Sequence, residues 1–216
     1  MQALSKSDYE SLRKGAEIIE ADGHGEKVLR LRDGSFLKLF RRKRLISSAA
    51  IWPYAQRFAD NAAMLKTLNL PCPQIIQTYR CRELKRDIVH YQPLPGRTLR
   101  QLHEQELTEK LFTQLGSLIA TLHSQGIYFR SLHLGNIVLT PENKMGLIDL
   151  ADLSRSRGAL GTIKRLRNFQ HLLRDSRDRN TLNQPKAIAC FDQYCQESSL
   201  APSGKILKHR LQLIPL

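Results

Sequence analysis

The chain has 216 residues, 41% of them hydrophobic, and carries 34 Lys and Arg against 20 Asp and Glu, for a formal charge of +14. Length and apolar content suffice for one substantial core or two small lobes and exclude a largely disordered chain. The charge, with a pI near 10.0, predicts an anionic partner, whether nucleic acid, a phosphate-rich membrane surface or a phosphorylated small molecule, and disfavours cationic ones.

The N-terminal MQALSKSDYESLRKG is too polar for the apolar core of a signal peptide, and no apolar run is long enough to span a bilayer, so a cytoplasmic protein is expected. Cys72, Cys81, Cys190 and Cys195 form no C-x-x-C pair and are expected to be reduced and mostly buried. In chain order, Ser7 to Ile19 has helical character. Glu26 to Phe40 reads as a hairpin around Asp33-Gly34, a dipeptide whose two central positions favour positive φ. Arg41 to Arg44 form a basic cluster. Phe58, Ala62, Leu65 and Leu68 recur at helical spacing and predict a helix from Ile51 to Leu68, stopped by Leu70-Pro71-Cys72-Pro73. Strands follow at Gln74 to Arg80 and Arg86 to Gln92.

Pro93-Leu94-Pro95-Gly96 punctuates the chain. It divides a strand-rich region, 1–95, from a helix-rich one, 96–216. Leu111, Phe112, Leu115, Leu118, Ile119 and Leu122 make one wide apolar face of a helix from Leu107 to Ser124, ended by Gly126. Thr162 to Arg174 and Pro185 to Cys195 read as further helices. Arg155, Arg157, Lys164, Arg165, Arg167, Arg174, Arg177 and Arg179 crowd this last region as a solvated face or an anion-binding one.

The chemistry-bearing segment is FRSLHLGNIVLTPENKMGLIDLADL, from Phe129 to Leu153. A loop carries Ser131, His133 and Asn136, and a hairpin then leads to Asp149 at the end of a second strand. An amide oxygen and a carboxylate from two such strands could share one hard divalent cation bridging nucleotide phosphates. The plainer alternative is a turn-capping Asn136 and a strand-ending Asp149. Upstream, Lys38 in SFLKLF sits oddly for a solvated charge and suits a phosphate ligand, or else blunts an edge strand. Asp22-Gly23-His24-Gly25 could cover phosphates with backbone N–H groups at Gly23 and Gly25, or be only a turn. No G-x-x-x-x-G-K-[ST] occurs, which argues against a P-loop NTPase.

Taken together, SFLKLF, PLPGRTLRQL, SQGIYFRSLHLGNIVL and MGLIDLADL resemble the lipopolysaccharide core kinase group (the toluene-tolerance or lipopolysaccharide-kinase-like proteins) of the protein-kinase-like superfamily. The resemblance runs from the Asp33-Gly34 turn to Arg174. It implies an α+β, two-lobed protein-kinase-like fold with a small β-rich N-lobe and a helical C-lobe. It also implies ATP and Mg2+ as cofactors, Asn136 and Asp149 as metal ligands, and Lys38 as the phosphate lysine. The implied activity is phosphotransfer to a sugar hydroxyl of lipopolysaccharide inner core, with peripheral contact to an anionic membrane.

Related sugar and aminoglycoside kinases carry H-G-D-x-H-x-x-N in the loop, where this chain has Phe129, Arg130, Ser131, Leu132, His133 and Asn136. The base Asp is thus Ser131, with His133 or Asp152 as possible substitutes. The helix that should hold Lys38 with a glutamate offers only Asp60 or Asn61. These departures motivate a second reading, a pseudokinase that binds nucleotide or a partner without transfer. A third, a nucleic-acid module, rests on charge alone, since aromatics are only 6% of the chain and offer little to stack on bases.

Overall fold

A computed structural model describes residues 1–41 and 52–198. The chain divides into two compact units, the first formed by Met1–Leu94 with Leu147–Asp152, the second by Pro95–Gly146 with Leu153–Leu216.

In the first unit, strands β1 (Gln2–Ala3), β2 (Glu17–Asp22), β3 (Gly25–Arg30), β4 (Phe36–Arg41), β5 (Gln74–Cys81) and β6 (Arg86–Gln92) form one sheet in the order β1-β5-β6-β4-β3-β2. Period-two alternation along β4 sends Leu37 and Leu39 to one face, where they are buried with Tyr9, Leu29, Leu31, Cys81 and Ile88. Helix α1 (Lys6–Leu12) supplies Tyr9 to that core. Phe36, Lys38 and Phe40 turn to the other face, lined by aromatic contacts of Phe40 with Tyr54 and Phe58 of α2 (Tyr54–Thr67) and of Tyr91 with Phe36 and Phe58. The same alternation explains why Lys38, flanked in sequence by apolar residues, escapes the core.

Several element boundaries differ from the sequence reading. The helix expected from Ser7 to Ile19 stops at Leu12; Gly15 turns the chain at φ +74, and Ile18 and Ile19 belong to β2. All six β2 residues are exposed, so no alternation advertised the strand. At the hairpin, only Gly34 has positive φ (+83). Gly34 N–H donates to the Leu31 carbonyl at 3.0 Å and Leu31 N–H to that of Ser35 at 2.8 Å, a longer loop in which one left-handed glycine suffices. Helix α2 begins at Tyr54, because a residue preceding proline, here Trp52 before Pro53, is disfavoured in helical geometry. Ile51, Arg42 to Arg44 and the tail from Pro202 lie outside the described residues.

The second unit is built around α3 (Glu109–Ser124), capped by Thr108, whose hydroxyl accepts from Leu111 N–H at 3.2 Å. Around it lie α4 (Thr162–Leu172), α5 (Ser176–Leu182) and α6 (Ile188–Glu197). Helix α5 was not foreseen, α4 ends two residues before Arg174, and Pro185–Ala187 form a 3-10 turn ahead of α6. A Cβ on Gly116 of α3 would stand 2.3 Å from the Cys190 carbonyl oxygen of α6, so these backbones approach closely only because position 116 has no side chain. Short strands complete the unit: β8 (Ile127–Phe129) pairs with β11 (Leu153–Arg155), and β7 (Arg97–Thr98), β9 (Ile137–Leu139) and β10 (Met145–Leu147) form a three-stranded sheet. All four cysteines are free, with Cys81 and Cys190 buried and Cys72 and Cys195 half-buried.

Candidate active site

In the first unit, Lys38 Nζ lies 2.6 Å from Asp149 Oδ1, joining positions 111 residues apart. The lysine side chain is 16% exposed and the aspartate 42%, so the lysine is sheltered, its ammonium 5.8 Å from the centre of the Phe40 ring, while the carboxylate opens to solvent. Asp149 adopts φ +55, a left-handed conformation that costs a non-glycine residue on the order of 1–3 kcal/mol. A half-exposed ion pair returns about 0–1 kcal/mol. The ion pair alone therefore does not offset the cost of this conformation, which Asn69, Lys85 and Asn143 also adopt.

The turn after Asp149 is fixed by α2. Asn61, buried, donates from Nδ2 to the Leu150 carbonyl at 2.7 Å. Asp60, the other residue considered as a clamp for Lys38, is exposed and accepts from Trp52 Nε1 and Gln56 Nε2, both at 2.8 Å. The acidic partner of Lys38 thus comes from the segment after β10, not from α2. Tyr91 lies on the same sheet face; burial chiefly, then the charges of Asp149 and Glu20, raises its hydroxyl pKa.

Gly23 and Gly25 sit in the turn joining β2 to β3, where Asp22 pairs with Gly25 and His24 N–H donates to Asp22 Oδ1 at 2.8 Å. A Cβ at either glycine would meet nothing within 4 Å, but Gly25 adopts φ +106, so the backbone of the turn itself calls for glycine at 25 and only Gly23 has no structural need of it.

In the second unit, Asn136 is buried and donates from Nδ2 to the Ser131 carbonyl at 2.9 Å. That bond orients the amide and leaves Oδ1 as its acceptor for a ligand. His133 caps the 3-10 turn Leu134–Asn136, its carbonyl accepting from Asn136 N–H at 2.9 Å. Asp152 ends the turn after Asp149 and is half-buried.

Two supports of this loop escaped the sequence reading. Asp178 of α5, fully buried, accepts from Leu134 N–H at 2.9 Å and from Arg100 Nε and Nη2 at 2.6 and 2.9 Å. Asn168 of α4 binds the start of the loop: its Nδ2 donates to the Phe129 carbonyl at 2.5 Å, and its Oδ1 accepts from Phe129 N–H at 3.4 Å. Behind Asn168, His123 Nε2 lies 3.1 Å from Asn168 Oδ1 and His123 Nδ1 lies 2.9 Å from Tyr194 Oη. Arg165 donates to Tyr194 Oη at 3.0 Å and to the Leu160 carbonyl at 2.6 Å. With Asn168 Oδ1 as acceptor, the network assigns the Nε2–H tautomer, Nδ1 accepting from the tyrosine hydroxyl. Burial pushes the His123 pKa down to about 4. Arg165 is therefore structural and leaves the expected basic face.

Taken singly, the carboxylate of Asp149 in the first unit and the amide oxygen of Asn136 in the second are each oxygen donors of the kind a hard cation such as magnesium takes. Among the described residues, no group of three or more His, Cys, Asp or Glu side chains could hold a metal, and no helix is long and apolar enough to cross a membrane.

Comparison with solved structures shows the protein-kinase-like fold. One match is the crystal structure of an aminoglycoside-3'-phosphotransferase of type VIII, at a TM-score of 0.63 and 15% identity over 91% of this chain and 92% of that one. No curated protein matches the sequence. The family model described as lipopolysaccharide kinase (Kdo/WaaP) matches residues 75–190, a span that includes Ser131, Asn136 and Asp149 but not Lys38. The loop, the strand-ending aspartate and more than half of the chain thus coincide with one family, and this protein belongs to the lipopolysaccharide kinase (Kdo/WaaP) family.

Proposed function

We propose that this chain is an ATP- and magnesium-dependent phosphotransferase acting on a sugar hydroxyl of lipopolysaccharide inner core, peripherally at the cytoplasmic face of an anionic membrane. The observation that carries the reading is the 2.6 Å approach of Lys38 to Asp149, the residues to which the sequence resemblance assigns the roles of phosphate lysine and metal aspartate. Magnesium-ATP, when bound, supplies the phosphoryl group and the cation that offsets its charge. Asn136 and Asp149 would hold the metal through their oxygens, and Lys38 would exchange its carboxylate partner for phosphate oxygens. The Ser131 hydroxyl orients the acceptor O–H. The acceptor oxygen bonds to phosphorus as the bond to the departing diphosphate breaks. Its proton leaves late, to the transferred phosphoryl oxygens, because serine carries no charge to take it. Losing a general base costs about a hundred- to ten-thousand-fold in rate, yet positioning and charge neutralisation supply most of this chemistry. The basic surface fits a phosphorylated glycolipid in an anionic leaflet, where each Lys or Arg near the surface contributes about 1 kcal/mol.

The test is transfer from labelled ATP to isolated core oligosaccharide. Lys38→Met and Asp149→Asn are each expected to abolish magnesium-dependent transfer, and unchanged transfer by Asp149→Asn overturns the metal assignment. Ser131 at the base position and Asn61 in the clamp helix favour a second reading, a pseudokinase. Its signature is nucleotide-dependent thermal stabilisation without transfer to any core acceptor.

A further inference from the structure

The arginine-rich region resolves into residues with different duties. Arg165 is buried in the His123 network. Arg179 donates to the Leu173 and Arg174 carbonyls, both at 3.3 Å, and so closes the end of α4. Arg177 pairs with Asp175 at 3.2 Å. Arg157, Lys164 and Arg167 are exposed and make no ion pair among the described residues. From Leu153 to Arg174 the chain contains no Asp or Glu, so no neighbour in sequence offsets their charge.

The same stretch carries an apolar projection. The loop ahead of α4 is pinned at both ends: Ser156 N–H donates to the Gly126 carbonyl at 2.9 Å, and Leu160 N–H donates to the His123 carbonyl at 2.8 Å. Between these pins Arg157, Gly158 and Ala159 are exposed. Ser156 and residues 158–164 line a cavity of about 540 Å³. Ile163, in the first turn of α4, is 71% exposed, more than any other large hydrophobic side chain among the described residues. It shares with Arg167 and Gln170 the stripe of α4 opposite the buried Arg165, Phe169 and Leu172. A lone exposed isoleucine is ordinary. An isoleucine at a pinned loop–helix junction that also carries three unpaired cations has the make-up of an interfacial membrane contact, whose apolar group enters the headgroup boundary while the cations meet lipid phosphates. Nucleic acid would call for exposed aromatics on which to stack bases, and the one Phe, Tyr or Trp from Leu153 to Arg174, Phe169, is fully buried.

We propose that the loop 156–161 and the first two turns of α4 form the face by which this chain docks on an anionic bilayer, with Ile163 entering the headgroup boundary and Arg157, Lys164 and Arg167 binding lipid phosphates. The assignment names the surface for the peripheral membrane contact proposed above and rests on that reading for its occupant. It does not depend on phosphotransfer.

Two measurements test this. In the first, the full chain without nucleotide is sedimented with vesicles of phosphatidylcholine alone or of phosphatidylcholine and phosphatidylglycerol in equal parts. Binding to the anionic vesicles is expected, and Arg157→Gln, Lys164→Gln and Arg167→Gln should each weaken it about fivefold. Arg82→Gln, the same charge change at an exposed turn residue of the first unit, should stay within about twofold of the wild type. Ile163→Ser should weaken binding about fivefold. In Ile163→Trp, emission should move to the blue on anionic vesicles and be quenched by brominated lipid beyond the signal that Trp52 gives in the wild type. Absence of binding, a triple charge variant that binds like the wild type, or a loss as large in Arg82→Gln overturns the surface. So does a response to the charges alone, with Ile163→Ser and Ile163→Trp unmoved and duplex DNA displacing the vesicles, which marks a nucleic-acid face instead. The second measurement separates docking from catalysis. Ile163→Ser should leave transfer to soluble core oligosaccharide within about twofold and raise the KM for lipopolysaccharide in anionic vesicles about fivefold. Wild-type transfer with equal KM in both proteins sinks the docking surface and leaves the kinase reading standing. Vesicle binding lost in Ile163→Ser, with no transfer to any acceptor, sinks the kinase reading and keeps the surface.

Discussion

His123 makes stability depend on pH in a way that can be worked out. The ring is fully buried, and burial holds its pKa at about 4, below the value of about 6.5 for an unfolded histidine. Between these values the unfolded chain binds the extra proton and the folded one does not, so stability rises with pH across that window. Protonating Nδ1 would set an N–H against the Tyr194 hydroxyl, which already accepts from Arg165. A separation of about 2.5 units corresponds to about 3 kcal/mol in full, of which about 2 kcal/mol is lost between pH 7 and pH 5. His90 and His171 are also shifted downward, chiefly by burial, and act in the same direction. A variant is therefore needed to isolate His123. Urea unfolding should be followed by far-UV circular dichroism, because the single tryptophan, Trp52, belongs to the first unit. His123→Gln should be less stable than the wild type at pH 7 by about 1–3 kcal/mol, the cost of disturbing a buried hydrogen-bonded group. Its loss between pH 7 and pH 5 should be smaller than the wild type's by about 2 kcal/mol. Equal losses in the two proteins would refute a neutral, buried His123.

Three further predictions concern the loop and its supports. Ser131→Asp restores a carboxylate at the base position and should raise kcat toward the roughly hundred- to ten-thousand-fold contribution of a general base, whereas an unchanged rate in a steady-state transfer assay means that proton removal is not limiting. Asp178→Asn keeps the shape of the loop support but removes the charge opposite Arg100, and should destabilise by about 2 kcal/mol in urea unfolding. Gly116→Ala forces a methyl group into the α3–α6 contact, where the Cys190 carbonyl is 2.3 Å away. It should cost about 1–3 kcal/mol, read in calorimetry as a Tm lowered by about 2–4 °C per kcal/mol.

Lys38, Asn136 and Asp149 stood out in the sequence as candidates because each sits in a short pattern with its own logic, a polar side chain against an alternating or turn-forming background. Asp178 was not, since an aspartate within SRDRN reads as one more solvated charge. Only the packing of α5 shows that it is buried under Arg100 and Leu134. Arg165 misled in the opposite sense, looking like its exposed neighbours until its bonds to Leu160 and Tyr194 were visible. Strand β2 hid for a third reason, because a strand exposed on both faces carries no period-two signal.

The bond between Asn168 and Phe129 has a consequence for how the loop opens. The backbone N–H of Phe129, at the strand leading into Ser131, is held by a side chain on a helix 39 residues further along. Its exchange with solvent deuterium therefore reports on α4 as well as on β8, and a fluctuation that lifts α4 also frees the entrance to the loop. Loop and helix form one cooperative opening unit, so a ligand that orders the Arg174 end of α4 would slow exchange at Phe129 without touching it.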